Sequence, residues 1–191
     1  MTERPADDLT DLAAATGRAL AARGWRLISA ESCTGGLLAA RITDVPGSSA
    51  WFEGAYVTYR LTAKMGMLGV PGDILDAHGA VSEPTVRAMA EGALARSVAD
   101  VSVAITGIAG PEGGDVLTPV GTVWFGWAVR ERDFSDTDTD PGTVAAGDEA
   151  GRIECVQTEE HHLAGNRQVV REEAVRIALG GVLELLRARQ G

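Results

Sequence analysis

Residues 101–106 read VSVAIT, an almost unbroken apolar run directly ahead of the glycine-rich stretch GIAGPEGG. A strand with no polar face is a strand covered on both sides, which belongs in a sheet sandwiched between layers of helix. The rest of the chain supplies those layers. Residues 9–23 are Ala-rich with helical spacing and stop at Gly24. WRLISA (25–30) and FEGAYVTY (52–59) read as strands, GLLAARIT (36–43) and LTAKMGMLGV (61–70) as helices, with Pro71-Gly72 as a breaker. Ser82, Glu83 and Pro84 form a helix start. VGTVWFGWAV and RIECVQTEEHHL look like a strand pair, and a closing helix runs over 166–187 with Asn166 as its N-cap. Early β/α alternation with a late strand pair predicts an α/β fold, a mixed sheet with helices on both faces.

With 191 residues, one domain accounts for the whole chain. Residues 133–151, DFSDTDTDPGTVAAGDEAG, are acidic and poor in large apolar side chains; they read as a mobile insertion between the last two strands. The formal net charge of -10 disfavours nucleic acid and anionic membranes as partners. Two cysteines, Cys33 and Cys155, make no disulfide framework, no apolar stretch reaches membrane-span length, and the N-terminus has no signal-like run. These features suit a protein of the reducing cytoplasm. His78, His161 and His162 show no metal-ligand spacing and read as surface or strand residues.

In a parallel sheet, ligands bind beyond the carboxyl ends of the strands. ESCTGG (31–36) follows one strand and TGIAGPEGG (106–114) another, so parallel strands would bring both loops to one crevice. Ser32 and Thr34 suit helix capping, but Ser32 at a positive helix end, with Gly35 and Gly36 admitting a ligand, also suits nucleophilic attack. Gly107, Gly110, Gly113 and Gly114 can form a nest of N–H groups for a phosphate, although neither a Walker nor a dinucleotide spacing is present. Lys64 could serve as base to a serine if burial lowers its pKa. Cys33, beside Ser32, is assigned to packing.

Taken together, AESCTGGLLAARITDVPGSSAWFEGAYVTY, AHGAVSEPTVRAMAEGA and AITGIAGPEGG…PVGTVWFG resemble the CinA C-terminal domain family, over residues 12–187. The resemblance implies a three-layer α/β/α sandwich with a largely parallel sheet. It implies hydrolysis of the carboxamide of nicotinamide mononucleotide to nicotinate mononucleotide and ammonia, with no metal or organic cofactor, and a homo-oligomer, a dimer or larger. It also implies site residues: Ser32 as nucleophile, Lys64 as base, and Tyr59, Thr106 and Arg167 with them; the two loops add Thr34, Gly35, Gly36, Gly107 and Gly110 as substrate contacts. Arg167 could hold the phosphate or lower the Lys64 pKa; Tyr59 could stack on the pyridine ring or orient Lys64. The chain departs from the family where Arg60 and Leu61 replace a Ser-Asn pair, and where Glu112 enters the glycine loop. A nucleotide-binding module without turnover, or an amidase for another small amide, are the rival readings.

Overall fold

The computed structural model describes residues 8–131 and 151–189. The acidic insertion expected at 133–151 lies, apart from Gly151, outside the described residues. In chain order the elements are α1 (Asp8–Ala21), β1 (Leu27–Glu31), α2 (Leu37–Thr43), β2 (Phe52–Val57), α3 (Leu61–Leu68), α4 (Gly72–His78), α5 (Glu83–Ala95), β3 (Val101–Gly107), β4 (Thr122–Arg130), β5 (Ile153–His162) and α6 (Arg167–Ala188). Ser82 Oγ accepts from Thr85 N, and Asn166 caps α6 by accepting from Gln168 N and Val169 N. One helix, α4, was not expected from the sequence. Pro71-Gly72 does end α3, but Pro71 also occupies the N-cap position of the next helix.

The five strands form one sheet in the order β2-β1-β3-β4-β5. β1 runs parallel to both β2 and β3, whereas β4 and β5 join antiparallel. The sheet is therefore parallel on one half and antiparallel on the other. Helices α1, α2 and α6 cover one face and α3, α4 and α5 the other, giving the three-layer sandwich.

The two faces are packed differently. Leu27, Val103, Ile105, Phe125 and Trp127 point toward α1 and α6, while Ala30, Ala104 and Ala128 point toward α5. Small residues let α5 lie close on the sheet, where the Ser102 hydroxyl donates to Ala90 O at 2.7 Å. The same closeness continues outward from α5 to α3. A Cβ at Gly92 would stand 2.2 Å from the backbone oxygen of Leu68, which a side-chain rotation cannot relieve. α3 carries Lys64, so Gly92 permits the packing that buries this lysine. Gly92→Ala should lower stability by about 1–3 kcal/mol despite the better helix propensity of alanine, because overpacking outweighs the ~1 kcal/mol propensity gain. At roughly 2–4 °C per kcal/mol for a chain of this size, differential scanning calorimetry would read the loss directly.

Candidate active site

β1 and β3 are parallel and in register, Glu31 opposite Ile105, so the chain leaves both strands at the same sheet edge. Ser32 N donates to Ile105 O at 2.9 Å, extending the pairing by one residue and fixing where the Ser32 side chain begins. At that edge lies a cavity of about 230 Å³, whose lining includes Ser32, Tyr59, Thr106, Gly107, Gly110 and Arg167. Cys33 and Glu112 line it as well.

Beneath this cavity the Lys64 side chain is fully buried. Its Nζ stands 2.8 Å from Ser32 Oγ and donates to Thr58 O at 2.7 Å. Burial disfavours the ammonium form and pulls the Lys64 pKa down from its usual value to about 8, against a smaller upward pull from Cys33. A neutral amine keeps one lone pair. With an N–H on Thr58 O, that lone pair can accept the Ser32 hydroxyl proton. The dominant cause is desolvation, so the lowering does not depend on Arg167. The neighbouring Cys33 thiol moves the other way, pushed up to about 11 mainly by burial. It stays a protonated thiol at neutral pH and is a poor nucleophile.

The turn after Ser32 is built differently from the sequence expectation. Neither Ser32 nor Thr34 caps α2. Its N-cap is Gly36, in the left-handed region at φ 93, with no side-chain cap bond. The buried Glu31 carboxylate takes the cap's place: it accepts from Gly36 N at 2.9 Å, Leu38 N at 3.1 Å and Ala39 N at 2.9 Å. These donors are thus already satisfied and not open to a substrate. Gly35 N donates to Ser32 O and Leu37 N to Thr34 O. What remains are the N–H groups of Cys33 and Thr34, which face the Cys33 sulfur and have no backbone acceptor among the described residues.

Thr34, Gly35 and Gly36 are accordingly absent from the described lining of the cavity; Thr34 O instead accepts from Arg171 Nη2 at 2.6 Å. Thr106 reaches the cavity, with its hydroxyl donating to Ala80 O at 2.7 Å. Tyr59 is well exposed, and its hydroxyl takes a bond from Arg167 Nη2 at 3.4 Å rather than from Lys64. Arg167 Nη1 donates to Gly110 O at 2.8 Å, tying the start of α6 to the glycine loop. Arg60 and Leu61 open α3 at the surface. Trp51 and Trp127 are core residues, and Trp127 Nε1 donates to Ala178 O. Among the described residues no group of three His, Cys, Asp or Glu side chains could hold a metal ion, and no helix is long and apolar enough to cross a membrane.

Residues 9–140 match the sequence model of the CinA C-terminal domain. The chain belongs to that family. A CinA-family structure described as the competence/damage inducible protein CihA from Agrobacterium tumefaciens superposes with a TM-score of 0.80 at 36% identity, covering 97% of this chain and 99% of that one. The nicotinamide-nucleotide amidohydrolase PncC of Escherichia coli K12 is 46% identical over 90% of this chain and 91% of its own length. A competence-damage inducible protein of Symbiobacterium thermophilum is 52% identical over 94% of this chain. This CinA-family chain spans 39% of the length of that relative. The fold is thus shared with a solved CinA-family structure.

Proposed function

We propose that this protein is an amidohydrolase that converts nicotinamide mononucleotide to nicotinate mononucleotide and ammonia, with Ser32 as nucleophile and Lys64 as base. The observation that carries this reading is the buried Nζ, 2.8 Å from Ser32 Oγ, with a pKa lowered to about 8. An exposed lysine would be almost wholly protonated at neutral pH, whereas this one has a usable neutral fraction. The name and near-full-length match of the Escherichia coli relative support the substrate class.

In this reading Ser32 Oγ attacks the carboxamide carbon as its proton passes to Nζ. The carbonyl oxygen becomes an oxyanion, held in this reading by the Cys33 and Thr34 N–H groups as they turn from the Cys33 sulfur; one such donor is worth about 3–4 kcal/mol. Collapse breaks the C–N bond, and Nζ returns the proton to the departing ammonia. Water then attacks the ester on Ser32, losing its proton to Nζ; Ser32 recovers that proton as nicotinate mononucleotide leaves. In this reading the exposed Tyr59 ring stacks on the pyridine, and Thr106 and Gly107 line the cavity wall with Ser32. Free, buried Cys33 and Cys155 suit a reducing cytoplasm. The family resemblance implies assembly into a dimer or larger homo-oligomer.

Incubation with nicotinamide mononucleotide should release one ammonia per nicotinate mononucleotide formed. Nucleotide binding without ammonia would identify a binding module instead, and neither binding nor ammonia would point to another small amide.

A further inference from the structure

A second cavity, of about 480 Å³, opens between α2 and α6. Leu37, Arg41, Arg167, Gln168, Arg171 and Glu172 line it. Three guanidiniums against one carboxylate make a concentrated positive site on a chain of net charge -10. The carboxylate is not turned wholly to the arginines, since Glu172 Oε1 accepts from Gln168 Nε2 at 2.9 Å. Arg41 also pairs with Asp44 at 3.3 Å. The first turn of the 22-residue α6 adds its dipole to the same place. Arg171 is held there by its bond to Thr34 O.

Arg167 lines both this cavity and the one at Ser32, so the two adjoin at this residue. The cavity at Ser32, about 230 Å³, falls below the roughly 300–1,000 Å³ usual for small-molecule sites. A pyridine nucleotide brings a ring, a pentose and a phosphate, and a second, adjoining cavity offers the phosphate a place of its own. Glu112 also places a carboxylate beside the glycine loop, where a phosphate dianion would be repelled.

We infer that the substrate's phosphate passes Arg167 and is bound in the α2–α6 groove by Arg171 and Arg41, not by the glycine loop. The glycine loop then walls the ring and pentose. Assigning the phosphate to a substrate rests on the amidase reading; the presence of a phosphate-monoester site in the groove does not.

The test uses the full chain and two measurements. Calorimetric titration with inorganic phosphate should show binding, weakened about tenfold in Arg41→Gln and in Arg171→Gln. Ammonia release should be compared for nicotinamide mononucleotide and nicotinamide riboside. Arg41→Gln should lower the ratio of their kcat/KM values about tenfold, and Arg41→Lys, which keeps the charge, should recover part of that loss. Arg41 carries the most weight because Arg171 also holds the turn after Ser32. Phosphate should inhibit competitively against the mononucleotide. An unchanged ratio in Arg41→Gln, undetectable phosphate binding, or noncompetitive inhibition would each overturn the proposal; the last would mean a separate site for free phosphate. If neither substrate yields ammonia, the amidase reading fails on its own. The phosphate titration of the two variants still decides the groove: retained affinity removes the site, and lost affinity keeps it.

Discussion

Ser32→Ala should abolish ammonia release from nicotinamide mononucleotide, a loss on the order of 10⁴-fold or more, while the protein remains folded. Removing Oγ leaves Lys64 Nζ its bond to Thr58 O, so the stability cost should be near that of one hydrogen bond, about 1 kcal/mol. Lys64→Met should lose activity to a similar degree, and the double variant should be no worse, because nucleophile and base act as one unit. Cys33→Ala should keep most activity, since burial holds the thiol protonated with a pKa of about 11. The pH profile separates this assignment from a helix-capping role for Ser32. Activity should rise through pH 8 as Lys64 deprotonates and level off above it. Stability should follow the same group. The folded-state pKa, about 8, is below the unfolded value, so between about 8 and 10.4 the unfolded chain binds more protons. Stability attributable to Lys64 therefore increases with pH across that window, by up to roughly 3 kcal/mol, and is absent below it. Lys64→Met should flatten that part of the curve. An active Ser32→Ala protein, or a folded but inactive Cys33→Ala protein, would sink the assignment.

Most elements were legible because their signals are local. VSVAIT announces a strand buried on both faces, and Ser82 and Asn166 announce helix starts through side chains that bond two or three residues ahead. Helix α4 was hidden because a proline that stops one helix can also open the next. Site residues divide along the same line. The meeting of the two loops followed from parallel strands, a topological inference. The Ser32–Lys64 contact came from family resemblance, since no local pattern predicts that α3 settles onto α5 at Gly92 and carries Lys64 beneath the β1 edge. Arg41 and Arg171 were missed for the same reason: each reads as an ordinary helix charge until α2 and α6 are brought side by side. Arg171 did offer one signal, lying a helical turn after Arg167 on the same helix.

The cap of α2, expected from Ser32 and Thr34, was misread for a subtler reason, and replacing Glu31 should have the second-largest effect. Capping rules look for a short polar side chain at the N-cap and a carboxylate three residues later. Here the carboxylate comes first, on the last residue of a fully buried strand, and reaches forward over the turn to three N–H groups. The turn it spans contains Ser32 and the Cys33 and Thr34 N–H groups, so Glu31 is a positioning residue: it fixes the reacting turn against α2 without touching the substrate cavity. Glu31→Gln keeps the shape but turns an amide N–H₂ toward backbone donors, losing at least one charge-assisted bond and leaving a buried donor unmatched. The cost should be about 2–4 kcal/mol in stability. If the turn loosens, the nucleophile and the oxyanion donors lose their mutual geometry, and kcat should fall about 10²-fold with little change in KM. Glu31→Asp, one methylene shorter, should fail to reach α2 and give a similar loss. A purely structural role predicts a different split, with a lower melting temperature but kcat within about twofold of wild type well below that temperature. Steady-state kinetics at 15 °C beside thermal melts of both variants would distinguish the two, and a preserved kcat would show that the turn keeps its geometry without the carboxylate.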